Sequence, residues 1–538
     1  MPTTRRTLLA TAPAALATAT LATPTLAQPA KILRVIPQAN LTSLDPIWTT
    51  AVVTRNHAYL VYDQLVAMDA NFVPRPAMAE GWTQDDGGLV WTFTLREGLR
   101  FHDNEPVRST DCVASIRRWM ARDSLGQTIA LLTTALEPVD DRRFRFRLSK
   151  PFPLLLAALG KPSPMPCFIF PERLAKTDPF KQVTDPTGSG PYRFVRDEWN
   201  PGSRAVWAKF DGYRPGPGLP VGVADKDGQS GIAGARTPNL DRIEWTIISD
   251  SATAAAALAN NEQDYWEYPL HDLIPLLKRN REIVVGQRLS QGTYAGMRVN
   301  HLHPPFDNPA VRRALLLGID QRDHLRAVVG DDTALWAACE SVYACGTTYG
   351  TDAGNAPLRT HSIAKAAEAL KAAGYANQRT VVLDPSDYPQ IHALSLVSAD
   401  VMQKMGFNMD LVSTDWGTVT QRRASTEPVD KGGWSVFHST WSGADVVNPA
   451  IHQNLRANGR GAWFGWPTDP LIESMRADWI DAADEPERIR LADAIQVRAM
   501  ESVPFIPLGY YWQPSAWRRS VTGVFPCQIT AFWNLGKA

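Results

Sequence analysis

Two short stretches of this 538-residue chain gather the side chains best suited to chemistry. The first holds Trp416, with Arg422 and Arg423 following on a helix. The second runs from His438 through Trp441 to Asp445. Two indoles offer flat apolar faces for contact and stacking. A carboxylate can receive an ammonium group, and a guanidinium can hold a carboxylate in a fork. Together the set recognises a solute with charged and apolar parts. Each residue also has a structural reading. Asp445 can cap a helix starting near Pro449 or sit on a solvated loop, the indoles can be core, and the arginines can hold structural ion pairs.

The elements that position these residues are legible from their patterns. Arg379 to Leu383 reads as a strand. Leu394, Val397, Val401 and Met405 make a helical stripe stopped by Gly406, and Phe407, Met409 and Leu411 alternate as a second strand. Strand, helix and strand at this spacing predict a βαβ unit with a parallel pair. In open α/β sheets, ligands sit beyond the carboxyl ends of the strands. The strand ending at Val412-Ser413 delivers Thr414, Asp415 and Trp416 to that edge. A strand from Trp434 to Phe437 delivers a loop from His438 to Asp445.

Elsewhere, Ile32–Ile36 reads as a strand, and the run through Asn56 to Tyr62 as helical. Val90–Leu95 and Phe101–Asp103 read as period-2 strands. Asp111 is expected to cap a helix through Val113, Ile116 and Trp119. Asn308 caps another with Pro309 in its first turn, and Val311, Ala314, Leu315 and Ile319 share one face. Ser362 opens a helix that ends at Gly374. Residues 211–238 are rich in Gly and Pro and read as a long surface loop or insertion.

Length predicts two or three domains. The 55 basic and 55 acidic residues cancel, which gives no electrostatic case for nucleic acid. No hydrophobic run beyond the N-terminal segment is long enough to span a bilayer, so no direct membrane insertion is expected. The 18 tryptophans are an unusual wealth, most of them expected in the core. Five cysteines leave at least one thiol unpaired in a monomer, and Cys339 and Cys345 could pair across a short turn. His301 and His303 can share a strand face, but no acidic residue is spaced to complete a metal site, and no metal or other cofactor is expected. There is no Gly-x-Ser-x-Gly elbow, no His-Glu-x-x-His and no phosphate-cradling loop. A secreted hydrolase is the alternative from another class.

Several ordered motifs run the length of the chain: Leu44-Asp45-Pro46, Pro76 to Trp82, Phe93 to Asp103, Gly188 to Phe194, and Asn300 to Leu315. This order resembles the family 5 extracellular solute-binding proteins that serve dipeptide and oligopeptide ABC importers. Asn104 replaces the family's usual Gly and tolerates the same left-handed turn. Thr4-Arg5-Arg6-Thr7-Leu8-Leu9 resembles a twin-arginine export signal, with Leu8 and Ala10 in place of the common Phe and Lys.

The resemblance implies an α/β, two-lobed periplasmic binding protein fold (type II, cluster C-like) with an additional inserted domain in the first lobe. On that pattern 1–27 is a signal peptide and 28–57 begins lobe I. The inserted domain is 58–184, lobe I continues over 185–292, lobe II is 293–508, and 509–538 returns to lobe I. The implied function is a monomeric periplasmic protein that closes on a short peptide and hands it to ABC permease subunits, with no chemistry of its own. Opines, oligosaccharides, haem and nickel complexes are the alternative cargoes. Trp441 and Asp445 resemble the family's loop in which an Asp receives the ligand's amino group. Trp416, His438 and Arg422 complete the expected ligand-binding set.

Overall fold

Leu33, Val35 and Ile36 bury their side chains in the strand Ile32–Ile36, which pairs in parallel with Arg242–Thr246 and with Tyr265–Trp266. It is the centre of a seven-stranded mixed sheet in a computed structural model that describes residues 30–218, 220, 224–225, 228–229, 231–287, 292–482, 484–527 and 529–538. The order across that sheet is Tyr192–Phe194, Arg204–Lys209, Arg242–Thr246, Ile32–Ile36, Tyr265–Trp266, Pro514–Arg518 and Ile283–Gln287. A strand from near the C-terminus thus lies two places from the first strand of the described chain. The expected signal segment, 1–27, and part of the Gly/Pro-rich stretch lie outside the described residues.

A second sheet has six strands. Their order is Trp336–Ala337, Ile506–Tyr511, Thr293–Val299, Val436–Ser442, Arg379–Pro385 and Asn408–Thr414. The chain leaves the first sheet after Gln287 and enters the second at Thr293. It leaves the second after Tyr511 and re-enters the first at Pro514.

The predicted βαβ unit is present. Arg379–Pro385 and Asn408–Thr414 pair in parallel over their full lengths, joined by the helix Pro389–Met405. Gly406 ends that helix in the left-handed conformation, at φ 98°, where a side chain would strain the backbone. Ile391, Leu394, Met402 and Met405 are buried on its inner face.

The local punctuation follows its chemistry. Asn308 caps the helix Pro309–Gly318 by accepting the Ala310 N–H at 2.9 Å. Ser362 caps Ile363–Ala372 through the Lys365 N–H. Asn104 takes φ 69°, as its replacement of Gly predicts. Cys339 and Cys345 are joined in a disulfide, and Cys112, Cys167 and Cys527 are buried thiols.

Two expectations need correction. Phe101–Asp103 is not a strand: the Phe101 N–H bonds the Glu105 carbonyl across a tight turn centred on Asn104. Asp111 does not cap its helix from outside. The helix Ser109–Met120 starts two residues earlier, and Asp111 lies in its first turn, accepting from the Arg108 N–H at 2.7 Å.

A four-stranded antiparallel sheet, in the order Ala79–Asp85, Val90–Leu95, Arg143–Leu148 and Thr133–Pro138, lies under that helix. Phe93 and Phe144 stack across it with ring centroids 5.1 Å apart. This unit is tied to the first sheet's segment by Asp45 of the Leu-Asp-Pro motif. The Asp45 carboxylate takes both terminal nitrogens of Arg118, at 3.1 and 2.7 Å, and the Ile47 and Val183 N–H groups. Both side chains are almost wholly buried.

Candidate functional site

The two larger sheets and their helices meet along a polar seam. The Tyr388 hydroxyl donates to Gln38 Oε1 at 2.6 Å, and Gln390 donates to Gln513. Arg423 reaches Thr49 Oγ1 at 3.2 Å, the Trp463 indole reaches Thr50, and Gln182 reaches Gln421. Gln513 lies in the return crossing; each of the other bonds joins a residue on the first sheet's side to one on the second's. Gly417 packs against Thr42 across the same seam so closely that a Cβ would clash with the threonine methyl.

Asp445 follows the strand Val436–Ser442, in a single 3₁₀ turn, Gly443–Val446. Its two oxygens have different environments. Oδ2 accepts the Ser442 N–H at 3.1 Å and forms a reciprocal cap with the Ser442 side chain. Oδ1 is buried and has no hydrogen-bond partner. Burial pushes the carboxyl's pKa up, against the pull of Arg55, Ser163, Lys161 and the Ser442 amide. Arg55 itself is buried and donates to Ser163 Oγ at 2.6 Å. Lys161 pairs with Asp123 at 2.7 Å. One carboxylate oxygen is therefore structural; the other makes no direct hydrogen bond, although the Ser163 hydroxyl held by Arg55 acts on the same carboxyl.

Trp416 begins the helix Trp416–Arg422, whose cap is Asp415 accepting from the Thr418 N–H. Trp416, Val419, Thr420 and Arg423 recur at i, i+3, i+4 and i+7 and share the buried face. The Trp416 ring meets Tyr388 edge-on at 5.4 Å, and its indole nitrogen is buried without a partner. The Arg423 guanidinium lies over Trp416, Phe437, Trp463 and Phe464, at 5.2–5.6 Å from each ring centroid. Trp441 packs against Trp463 at 4.9 Å in the same aromatic cluster. An interface cavity of about 340 Å³ opens beside it, lined by Trp48, Arg122 and Phe180 on one side and Gln453, Trp463 and Phe464 on the other.

Two expected ligand-binding residues stand elsewhere. His438 is within the strand, which runs on to Ser442 instead of ending at Phe437. Alternation turns His438 towards the helix Pro389–Met405, while Phe437 and Trp441 turn towards Trp463. His438 Nε2 lies 2.7 Å from Ser398 Oγ, which His324 Nε2 also meets at 3.0 Å, and Nδ1 lies 3.1 Å from Ser395 Oγ. Burial holds its pKa down at about 3, so it is a neutral core imidazole. Arg422 faces the other way from its neighbour and clamps a turn, donating to the Gly432 and Gly433 carbonyls. The interior guanidinium is that of Arg423. The signal in the sequence was phase: position 423 lies two turns after Trp416, and position 422 does not.

The sequence profile of the "Bacterial extracellular solute-binding proteins, family 5 Middle" matches residues 73–462, more than half of the chain. The chain belongs to this family. As a family 5 solute-binding protein it is 34% identical to the Sinorhizobium fredii "Probable peptide ABC transporter periplasmic-binding protein y4tO", across 93% of this chain and 92% of that one. It is 26% identical to the glutathione-binding protein GsiB of Salmonella typhi, across 94% and 93%. Among solved structures, the Helicobacter pylori periplasmic binding protein DppA in complex with the peptide STSA superposes with a TM-score of 0.76 at 21% identity, covering 94% of this chain and 98% of that one. The A. tumefaciens R10 binding protein AgaA, in complex with agropinic acid, gives 0.76 at 20% identity, covering 94% and 99%. Both have the two-lobed periplasmic binding fold, and this chain shares it.

Proposed function

We propose that this solute-binding protein is the capture component of an ABC importer, that its cargo is a short peptide, and that Asp445 receives the peptide's free amino group. The observation that carries the reading is the divided environment of Asp445. Oδ2 is engaged in its own turn, and Oδ1 is buried with no direct hydrogen bond, near the Ser163 hydroxyl and the Arg55 charge that act on the carboxyl. A buried carboxylate oxygen costs free energy until a hydrogen bond or a cation meets it. An α-ammonium supplies both. Trp416 and Trp441, buried on the same side of the seam, offer apolar faces that suit a peptide irrespective of its sequence. The named roles of y4tO and GsiB support a peptide cargo.

Capture works through closure. The seam bonds Tyr388–Gln38 and Arg423–Thr49 exist only when the two sides meet, so a solute that touches both sides favours the closed state by its differential contacts. The return crossing between Tyr511 and Pro514 serves as a hinge. The protein is exported to the periplasm as a monomer, delivers its cargo to permease subunits and performs no reaction on it. Ammonium binding requires ionised Asp445. Because burial raises that carboxyl's pKa, affinity falls as pH drops through the raised value.

Native mass spectrometry of the protein purified from its own periplasm tests the reading. A co-purified mass that fragments as a short peptide is the expected result. A sugar or a metal complex in its place overturns the peptide assignment.

A further inference from the structure

The Cys339–Cys345 disulfide joins two unequal halves of one loop. The Cys339 half is anchored. Gln321 exchanges two hydrogen bonds with the Cys339 backbone, at 2.7 and 2.9 Å. Gln496 Oε1 accepts from the Ser341 hydroxyl and the Val342 N–H. Tyr294 donates to the Ser341 carbonyl, and His452 meets the Val342 carbonyl. The Cys345 half is different. Cys339 is buried, whereas Cys345 is exposed. Among the described residues Cys345 makes no hydrogen bond, and the sulfur bridge ties it to the anchored half.

That second half braces the turn of Asp445. The Ala344 N–H donates to the Val446 carbonyl at 3.1 Å, which holds the far end of the turn Gly443–Val446. The near end is held by the Gly443 N–H on the Gly292 carbonyl, at 3.2 Å. Asp445 lies between these two bonds. A cavity of about 240 Å³ adjoins the brace, lined by both cysteines and by Thr347, Gly443, Val447 and Trp512. The sulfur bridge and the turn therefore share one opening, roomy enough for a small thiol.

We propose that Cys345 is a thiol–disulfide exchange site, and that reduction there loosens the turn that carries Asp445. A thiolate of a small dithiol attacks the exposed Cys345 Sγ. The sulfur–sulfur bond breaks, and Cys339 leaves as a thiolate that takes a proton from water. The dithiol's second thiolate then attacks its own sulfur in the mixed disulfide. Cys345 leaves as a thiolate and is protonated, and the dithiol, having given up two electrons, ends as a cyclic disulfide. With the bridge open, Ala344 is no longer fixed to the anchored half, and its bond to Val446 must repay the ordering of a free strand of chain. A loss of affinity on reduction rests on the role proposed for Asp445; the exchange chemistry and the loosening do not.

Dithiothreitol followed by iodoacetamide, applied to the folded protein, tests this by mass spectrometry. Cys345 should be labelled, and the buried Cys112, Cys167 and Cys527 should not. Hydrogen exchange at the amides of 443–446 should quicken roughly tenfold, and reoxidation should reverse it. Affinity for the tripeptide Ala-Glu-Ala, read by calorimetry, should fall roughly tenfold. The double variant Cys339→Ser, Cys345→Ser should match the reduced protein and ignore dithiothreitol. If that variant fails to fold, reduction and reoxidation of the parent make the same comparison. An unlabelled Cys345, labelling that extends to the three buried thiols, or unchanged exchange at 443–446 after labelling overturns the proposal. Quicker exchange with unchanged affinity, or with no Ala-Glu-Ala binding in either state, upholds the redox site and counts against Asp445 as the anchor of a peptide.

Discussion

Trp416 and Arg423 lie seven residues apart on one helix face, and the guanidinium carbon of the second stands 5.4 Å from the ring centroid of the first. That relationship ties the entry of the helix to its exit and turns both towards the seam. It also makes the seam asymmetric. The second sheet's side supplies rings and a cation, and the first supplies the Thr49 and Thr50 hydroxyls. At Arg423 and Trp463 two hydroxyls thus face a cation and its rings, while Trp48, Arg122 and Phe180 carry the first side's own rings and charge to the neighbouring cavity.

Gly417 sits one residue after Trp416 and touches Thr42 across the seam. A Cβ there also meets the Asp415 carboxylate that caps the helix. Gly417→Ala should therefore lower the melting temperature slightly while weakening Ala-Glu-Ala binding by roughly tenfold. X-ray scattering should show incomplete compaction at saturation. Unchanged affinity and full compaction would mean that Thr42 yields and that this contact does not limit closure.

Asp45 and Arg118 form a buried, two-point ion pair between the first sheet's segment and the helix Ser109–Met120. Removing one partner strands the other charge away from water. Asp45→Ala should cost roughly 3–5 kcal/mol, read by urea unfolding. Replacing both residues by apolar ones should cost less than either single change.

Much of the fold was readable because its punctuation is local. Asn308 with Pro309, Ser362 and Gly406 each satisfy or end a helix by chemistry confined to a few residues. The strand pair on either side of Pro389–Met405 followed from period alone. The site was less legible. His438 was misplaced because the strand continues past Phe437, and a polar residue in a buried strand looks like a loop until its serine partners are known. Those partners, Ser395 and Ser398, lie on another element. Arg422 and Arg423 differ only in helical phase. Thr49 and Thr50 approach Arg423 and Trp463 from over 370 residues away, and no spacing announces that.

His438 predicts an acid-sensitive core. Its folded pKa, about 3, lies below the unfolded value of 6.5, so the unfolded chain takes up the proton first. The stability contributed by the neutral ring is complete above about pH 6.5 and is lost as pH falls towards 3. At pH 5 the loss from this one residue should be on the order of 1–2 kcal/mol. His438→Gln should lower the melting temperature at pH 8 and flatten its decline between pH 6.5 and 4. A parallel decline in the two proteins would assign the acid sensitivity to other groups.

Arg5 and Arg6 should route the protein through the twin-arginine pathway. Changing both to Lys should trap uncleaved precursor inside the cell, seen by fractionation and immunoblotting. Normal export of that variant would assign the protein to the general secretory route.

The most direct test of the account is a double cycle by calorimetry with Ala-Glu-Ala and its N-acetyl form, on the parent protein and on Asp445→Asn. Capture of an ammonium by the unpartnered Oδ1 predicts that either change alone weakens binding on the order of 100-fold. It also predicts that the two together cost little more than one, because both remove the same contact. Binding of the free-amine peptide to Asp445→Asn within a few-fold of the parent, or full additivity of the two losses, would contradict the account and leave Asp445 as the cap of its own turn.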